Sequence, residues 1–144
     1  MAGKNIAFIA KVNKDLPYLS HILSDLGDLI GYDYNGVTTI LPASGVDNGL
    51  TASTSSDQAG ALALNYRNSR VTTSAVAGDS VVLPFALKGM SMIVCNAAAA
   101  NAIDVFPATG DAINALSANT ALSISANASA QFTCMVNGTW NTIV

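Results

Sequence analysis

Short apolar runs separated by turn residues fill the second half of the chain, from about residue 61 onward. The runs lie at residues 61–66, 70–75, 80–83, 90–96, 102–106, 121–125, 130–136 and 139–144. The turn signals between them are Gly78-Asp79, Lys88-Gly89, Pro107 with Gly110-Asp111, Asn119, Asn127 and Asn137-Gly138. Short strands at fairly even spacing with such punctuation are typical of a β-sandwich, a jelly roll or a small barrel.

The last two runs form the clearest local unit. Residues 131–136 and 139–144 flank the dipeptide Asn137-Gly138. Asn-Gly is the preferred pair for a type I′ turn, in which both central residues need positive φ. The sequence therefore predicts a β-hairpin at the end of the chain, closed by a type I′ turn.

The first 60 residues follow a different pattern. Residues 1–14 resemble an arm with a short apolar stretch. Over residues 15–30, leucine and isoleucine recur at steps of three and four, which predicts one short helix. Beyond it we expect a strand at 37–41 and a long polar loop at 43–60. The predicted fold is mostly β, with an N-terminal arm and one short helix in residues 1–60 and a β-sandwich domain in residues 61–144.

Composition narrows the possible functions. Charged residues make up 10 % of the chain, against about 25 % in an average domain. The net charge is −3 and the six basic residues are scattered, so we expect no nucleic-acid binding. The apolar runs are shorter than the roughly 20 residues of a membrane span, so we expect no membrane insertion. A weakly charged surface gives poor protection against association, which suggests that much of it is buried between subunits.

The two cysteines, Cys95 and Cys134, lie in apolar strand-like runs and have no zinc-type spacing. The apolar stretch near the N-terminus is too short for the core of a signal peptide. We therefore expect synthesis in a reducing cytoplasm, with both thiols free and buried.

Residues able to do chemistry are few. The single histidine, His21, falls inside the predicted helix, and every acidic residue is an aspartate. Asp104 and Asp111 flank a short turn segment and suggest either a calcium site or a carboxylate pair that cleaves a glycosidic bond. Gly110-Asp111 and Gly78-Asp79 are also ordinary turn dipeptides, which is the simpler interpretation. We expect no enzyme activity, cofactor or metal, and keep an Asp-based hydrolase as a remote alternative.

The aromatic residues divide into core and contact candidates. Phe106, Phe132 and Trp140 occur at strand spacing and are expected to fill the core, although an exposed Trp140 would suit a sugar-binding platform. The candidate contact surface for other subunits comprises Phe8 and Ile9 in the arm and the alternating pair Tyr32 and Tyr34.

Residues 70–144 also carry an ordered set of motifs. They are Val71-Thr72-Thr73, Gly78-Asp79-Ser80-Val81-Val82-Leu83-Pro84, Val94-Cys95-Asn96, the segment from Asp104 to Asn114 that reads DVFPATGDAIN, and Gly138-Thr139-Trp140. In this order they resemble small structural proteins of tailed bacteriophages, of the capsid decoration (cement) type. The resemblance covers about half the chain and supplies no catalytic residues.

This resemblance implies a protein of the virion. It would be made in the host bacterial cytoplasm and would bind the major capsid protein on the outer surface of the shell. The resemblance also implies self-association, as a trimer at the junctions of the shell, and closed symmetry is the default for homo-oligomers. In that case deletion of residues 1–14 would leave a folded oligomer that no longer binds capsids. A tail, baseplate or fibre-associated module, with a possible carbohydrate-binding role, is the alternative.

Overall fold

The computed structural model describes the backbone at residues 22–23, 29–34, 37–40 and 43–143, and the side chains at 45–143. The chain divides into two compact units, Met1–Leu41 and Pro42–Val144, and each is described by itself.

The first unit contains a three-stranded antiparallel sheet. Its strands are β1 (Ile22–Leu23), β2 (Leu29–Tyr34) and β3 (Val37–Ile40), in the order β1-β2-β3. β3 confirms the strand predicted near 37–41. The helix predicted over 15–30 is wrong at the described residues, where Ile22 pairs with Ile30 and Leu23 with Leu29. The same apolar positions can serve a strand pair, and Gly27 lowers helix propensity by about 1 kcal/mol relative to alanine.

The second unit contains ten strands in two sheets. They are β4 (Ala43–Thr51), β5 (Leu62–Ala63), β6 (Tyr66–Thr73), β7 (Asp79–Val82), β8 (Ser91–Asn96), β9 (Ile103–Phe106), β10 (Ala112–Ile113), β11 (Leu122–Ile124), β12 (Ala128–Val136) and β13 (Thr139–Ile143). The six-stranded sheet has the order β10-β13-β12-β8-β6-β4, and the four-stranded sheet has the order β11-β9-β7-β5.

From β4 to β9, consecutive strands alternate between the two sheets. Each of the strands β4 to β7 pairs in parallel with the next strand of its own sheet, which lies two strands later in the chain. The chain therefore winds as a stack of coils, each with one strand in either sheet. Asn68 of β6 pairs with Ile93 of β8, 25 positions later, and Asp79 of β7 pairs with Ile103 of β9, 24 positions later. The mostly-β class is confirmed. The arrangement is solenoid-like, whereas sandwiches and jelly rolls are built from antiparallel strands.

The winding reverses after β9. β11 pairs antiparallel with β9 in the four-stranded sheet, and β12 pairs antiparallel with β8 in the six-stranded sheet. β12 and β13 then form an antiparallel hairpin, and the short β10 adds in parallel to β13. The final strands therefore end the coil stack with antiparallel pairing.

The terminal hairpin is confirmed, but its predicted turn type is wrong. Gly138 has φ +82°, whereas Asn137 does not have the positive φ that a type I′ turn requires. The register also shifts between Cys134 and Val136. A glycine with positive φ, together with one extra residue in a strand, is typical of a hairpin that contains a β-bulge. The Asn137 Oδ1 atom accepts a hydrogen bond from the Lys88 backbone N–H at 2.8 Å, which ties the hairpin tip to the loop before β8.

The long loop predicted at 43–60 is wrong over its first half. Residues 43–51 form β4, the outermost strand of the six-stranded sheet, which pairs in parallel with β6. Its glycines, serine and asparagine have low strand propensity. The backbone ladder to β6 nevertheless holds the segment extended, although the register shifts at three points.

The core lies between the two sheets of the second unit. Burial alternates along the strands, so that Met92, Val94 and Asn96 of β8 and Ile103 and Val105 of β9 are buried. The Asn96 Nδ2 atom crosses from one sheet to the other and donates to the Ile124 carbonyl of β11 at 3.0 Å. Phe132 and Trp140, predicted core residues, are fully buried.

The predicted turn signals are confirmed. Gly78, Gly89 and Gly110 have φ near +90°, and the residue after each donates its backbone N–H to the carbonyl three positions back. A positive φ at the third turn position is a type II requirement that favours glycine. Asn119 and Asn127 also have positive φ and occupy the third position of two later turns.

Candidate functional site

Exposed apolar side chains gather on the six-stranded sheet, on the side that faces away from the core. We call this side the outer face. Backbone pairing places five residues in one line across five strands, named the central row: Val46, Asn68, Ile93, Gln131 and Ile143. Val46 is 68 % exposed, Ile143 56 % and Ile93 41 %. Met135, 62 % exposed, lies further along β12, also on an outward position of the alternating pattern.

The outer face carries little charge. The rows beside the central row contain Asn48, Arg70, Cys95 and Ser129 on one side and Ser91, Thr133 and Asn141 on the other. Arg70 is the single charged residue in these three rows of the described sheet, and its Nη1 atom donates to the Asn48 Oδ1 atom at 3.0 Å. Asp47 pairs with the buried Ser69 and so lies on the opposite side of the sheet.

The outward side of the four-stranded sheet is different. Its strands contribute none of the large exposed apolar residues in the described chain. Ser80 of β7 is fully buried, and its hydroxyl donates to the Ser55 carbonyl, while Gln58 Nε2 donates to the Pro107 carbonyl at 2.7 Å. Residues 53–60 therefore cover part of this side, and Asp104 adds a charge next to Ser80 in the ladder.

Two buried carboxylates follow the Gly-Asp turns. Asp79 is fully buried, and its Oδ2 atom accepts the backbone N–H groups of Ala75 at 2.5 Å and Val76 at 3.2 Å. Its Oδ1 atom has no hydrogen-bond partner. These contacts bridge the turn that leads into β7.

Asp111 holds the second Gly-Asp turn against the loop before β8. Its Oδ2 atom accepts the Ala86 backbone N–H at 2.7 Å. Burial raises the pKa of the Asp111 carboxyl, and the hydrogen bond from Ala86 opposes this shift only in part. Burial also raises the pKa of the Cys134 thiol, and the nearby Asp111 charge adds to the increase. These groups act in the packing of the hairpin against the loop.

Asp104 and Asp111 do not form the predicted pair. The Asp104 carboxylate lies beside Gly78, and the Asp111 carboxylate lies beside Gly138, so they serve different turns. The described residues contain no group of three or more His, Cys, Asp or Glu side chains placed to hold a metal ion. The contacts of Asp79 and Asp111 agree with the simpler interpretation of the Gly-Asp dipeptides as turn elements.

The aromatic and cysteine predictions are confirmed in part. Trp140 is fully buried and its Nε1 atom donates to the Pro84 carbonyl at 3.3 Å, which excludes it as an exposed sugar platform. Phe106 is half-buried, on the opposite side of β9 from Val105. Both cysteines are free, and Cys134 is buried as predicted. The burial predicted for Cys95 is wrong, because Cys95 lies half-exposed on the outer face.

The sequence-predicted contact residues belong to the first unit. Tyr32 and Tyr34 lie in β2, paired with Thr39 and Val37 of β3. Phe8 and Ile9, together with His21 and the whole arm at 1–14, lie outside the described residues.

The comparisons with known proteins give no family for this chain. No protein-family model matches it, and no curated protein matches it in sequence. Within the described residues, no helix is long and apolar enough to cross a membrane.

The patterns considered in the sequence did not predict the outer face, although the alternation of residues along two strands indicates it. In residues 91–95 and 131–135 every second residue is buried, and the intervening ones are Ser91, Ile93, Cys95, Gln131, Thr133 and Met135. This alternation predicts one buried and one outward side for each strand. The parallel register that aligns these outward residues across strands is not visible in the sequence.

Proposed function

We propose that this chain is a capsid decoration protein of a tailed bacteriophage. In this role it associates with copies of itself, as the trimer that the resemblance implies, and binds the major capsid protein on the outer surface of the shell. Its place is the virion surface, after synthesis in the host cytoplasm. The chain does no chemistry in this role and uses no cofactor.

The observation that carries the proposal is the exposed, weakly charged outer face. Three apolar residues of the central row are more than 40 % exposed, and Arg70 is the one charge in the three central rows. Single exposed apolar residues are common on soluble proteins, but several of them on one sheet face with a single charge suit a contact with another protein. A charged fraction of 10 % over the whole chain supports the same conclusion, because a monomer would need more charge to stay dispersed.

The resemblance to phage structural proteins supports the more specific part of the proposal. Its motifs fall on the framework of the second unit: the Gly78-Asp79 turn with β7, the segment from β9 through the Gly110-Asp111 turn to β10, and the hairpin at Gly138. The sandwich that the resemblance implies also consists of two sheets around one core. We propose that the stacked coils take the place of that sandwich in this chain.

Co-sedimentation tests the proposed function. The purified chain is mixed with emptied capsids of the phage that encodes it, and the shells are pelleted and heated. We expect the chain to pellet with these shells at saturating stoichiometry and to raise the temperature at which they rupture. Shells of an unrelated phage are the control. Binding to isolated tails with none to shells would contradict the proposal and favour the tail-associated alternative.

A further inference from the structure

We propose that the outer face of the six-stranded sheet is the surface through which copies of this chain associate. Two such faces opposed about a two-fold axis, or three arranged around a three-fold axis, bring the same central row from different copies together. This inference rests on the proposed function only in taking self-association as part of it.

The chemistry of the central row suits contact with itself. Apolar Val46, Ile93 and Ile143 alternate with the amides Asn68 and Gln131. An amide side chain both donates and accepts hydrogen bonds, so amides from two copies can satisfy each other. The row contains no charge, so no like charges face each other across a symmetric contact. Surface rich in charge would be costly to bury in this way.

The sheet edges are less suitable for association than the face. Short edge strands and β-bulges make a sheet edge a poorer template for pairing with another chain. In the six-stranded sheet one edge is the two-residue β10, and the other is β4, whose ladder has three register shifts. The edges of the four-stranded sheet are β5 with two residues and β11 with three. Pairing of strands between copies therefore has no regular edge to extend within the described residues.

The opposite side of the unit is also less suitable. Residues 53–60 lie against the four-stranded sheet through the contacts of Ser80 and Gln58. In the described chain, the strands of this sheet carry Asp104 and no large exposed apolar residue. A second copy placed there would bury a charge and gain little apolar contact.

The size of the outer face agrees with a specific contact. Five strands spaced about 4.8 Å apart, each contributing about six residues of 3.3 Å, cover on the order of 500 Å². Two such faces together bury on the order of 1,000 Å², which is the area at which specific protein contacts begin.

A pair of charge substitutions tests the proposal. Ile93→Lys places an ammonium group at the centre of the row, and Ser123→Lys places the same group on the four-stranded sheet as a matched control. Both positions are exposed in the described subunit, so both variants should fold, which circular dichroism checks. We expect the mass of Ile93→Lys from light scattering to fall to that of one chain, while Ser123→Lys keeps the mass of the parent.

The native thiol of Cys95 gives a second readout in the unmodified chain. It lies on the outer face beside the central row, whereas Cys134 is fully buried. We expect the rate of Cys95 labelling by a small disulfide reagent to fall at least tenfold between dilute and concentrated protein, and to stay high at all concentrations in Ile93→Lys.

The outcomes separate this proposal from the proposed function. An oligomer whose mass is unchanged in Ile93→Lys, or whose Cys95 reacts equally fast at all concentrations, would overturn the outer face as the contact. Co-sedimentation with capsids reports on the decoration role independently. If the chain pellets with shells but Cys95 reacts at the same rate at all concentrations, the outer face is not the contact. The proposed function then still stands.

Discussion

Individual side chains show how a chain with few charges uses its carboxylates. Asp79 and Asp111 each follow a glycine with φ near +90°, and each turns its carboxylate inward to accept backbone N–H groups. A buried N–H without an acceptor costs about 1–3 kcal/mol, so such a carboxylate replaces hydrogen bonds that the irregular backbone cannot make with itself. These aspartates therefore stabilise the turns between strands.

Asp79→Ala should lower the free energy of unfolding by about 1–2 kcal/mol, because it removes the acceptor of both the Ala75 and the Val76 N–H groups. Loss of the buried, unpaired Oδ1 atom offsets part of this cost. Urea denaturation measures the change. Asp104→Ala is the matched control, since Asp104 is half-exposed, and it should change the free energy by less than about 0.5 kcal/mol. Equal effects of the two substitutions would show that the Asp79 contacts do not stabilise the turn.

Asp111 should make stability depend on pH. Its pKa is raised above the ordinary value of 3.8, so the folded state holds the proton more tightly than the unfolded state. The stability contributed by the neutral carboxyl is fully present below pH 3.8 and is lost as the pH rises through the folded-state pKa. Asp111→Asn removes this titration.

We therefore expect Asp111→Asn to gain stability relative to the parent chain between about pH 3 and pH 7. Urea denaturation of both proteins at the two pH values measures this difference. A difference that stays constant across the range would contradict the assigned cause of the pKa shift.

At the scale of elements, the terminal hairpin depends on a single backbone conformation. Gly138 has φ +82°, and its N–H donates to the Ala86 carbonyl at 2.9 Å. An added Cβ would meet only the Asp111 Oδ1 atom, at 3.6 Å, so space does not limit substitution there. The limit is the left-handed conformation, which costs a residue with a side chain about 1–2 kcal/mol.

Gly138→Ala should accordingly lower the free energy of unfolding by about 1–2 kcal/mol. Gly138→Asn should cost less than alanine, because asparagine tolerates positive φ, as Asn119 and Asn127 do in this chain. Thermal denaturation of the two variants compares them. Alanine tolerated as well as asparagine would argue against the conformational explanation.

The same elements show how far sequence patterns reach. Turn chemistry is local, so the sequence alone locates the turns at Gly78 and Gly110 and the hairpin at Asn137-Gly138. The partner of each strand is not local. β4 contains many residues with weak strand propensity and is held by β6, about 22 positions later. The helix pattern at 15–30 failed for a related reason, because apolar spacing does not distinguish a helix from two paired strands.

At the scale of the whole molecule, coil winding creates the outer face. Parallel pairing aligns Val46, Asn68 and Ile93 from three successive coils, and the antiparallel hairpin extends the line through Gln131 and Ile143. The alternation within each strand is predictable, but the alignment depends on coils of 22 and 25 residues with no sequence repeat between them. This is why the contact candidates chosen from sequence, Phe8, Ile9, Tyr32 and Tyr34, do not include the central row.

The most direct test of the account is the absolute mass of the chain in solution, measured by light scattering across protein concentration and salt. Contacts made by apolar and amide side chains are not screened by salt as charged contacts are. We expect a discrete closed oligomer, the trimer that the resemblance implies, whose mass is unchanged between low and molar salt. A single chain at every concentration would contradict the account.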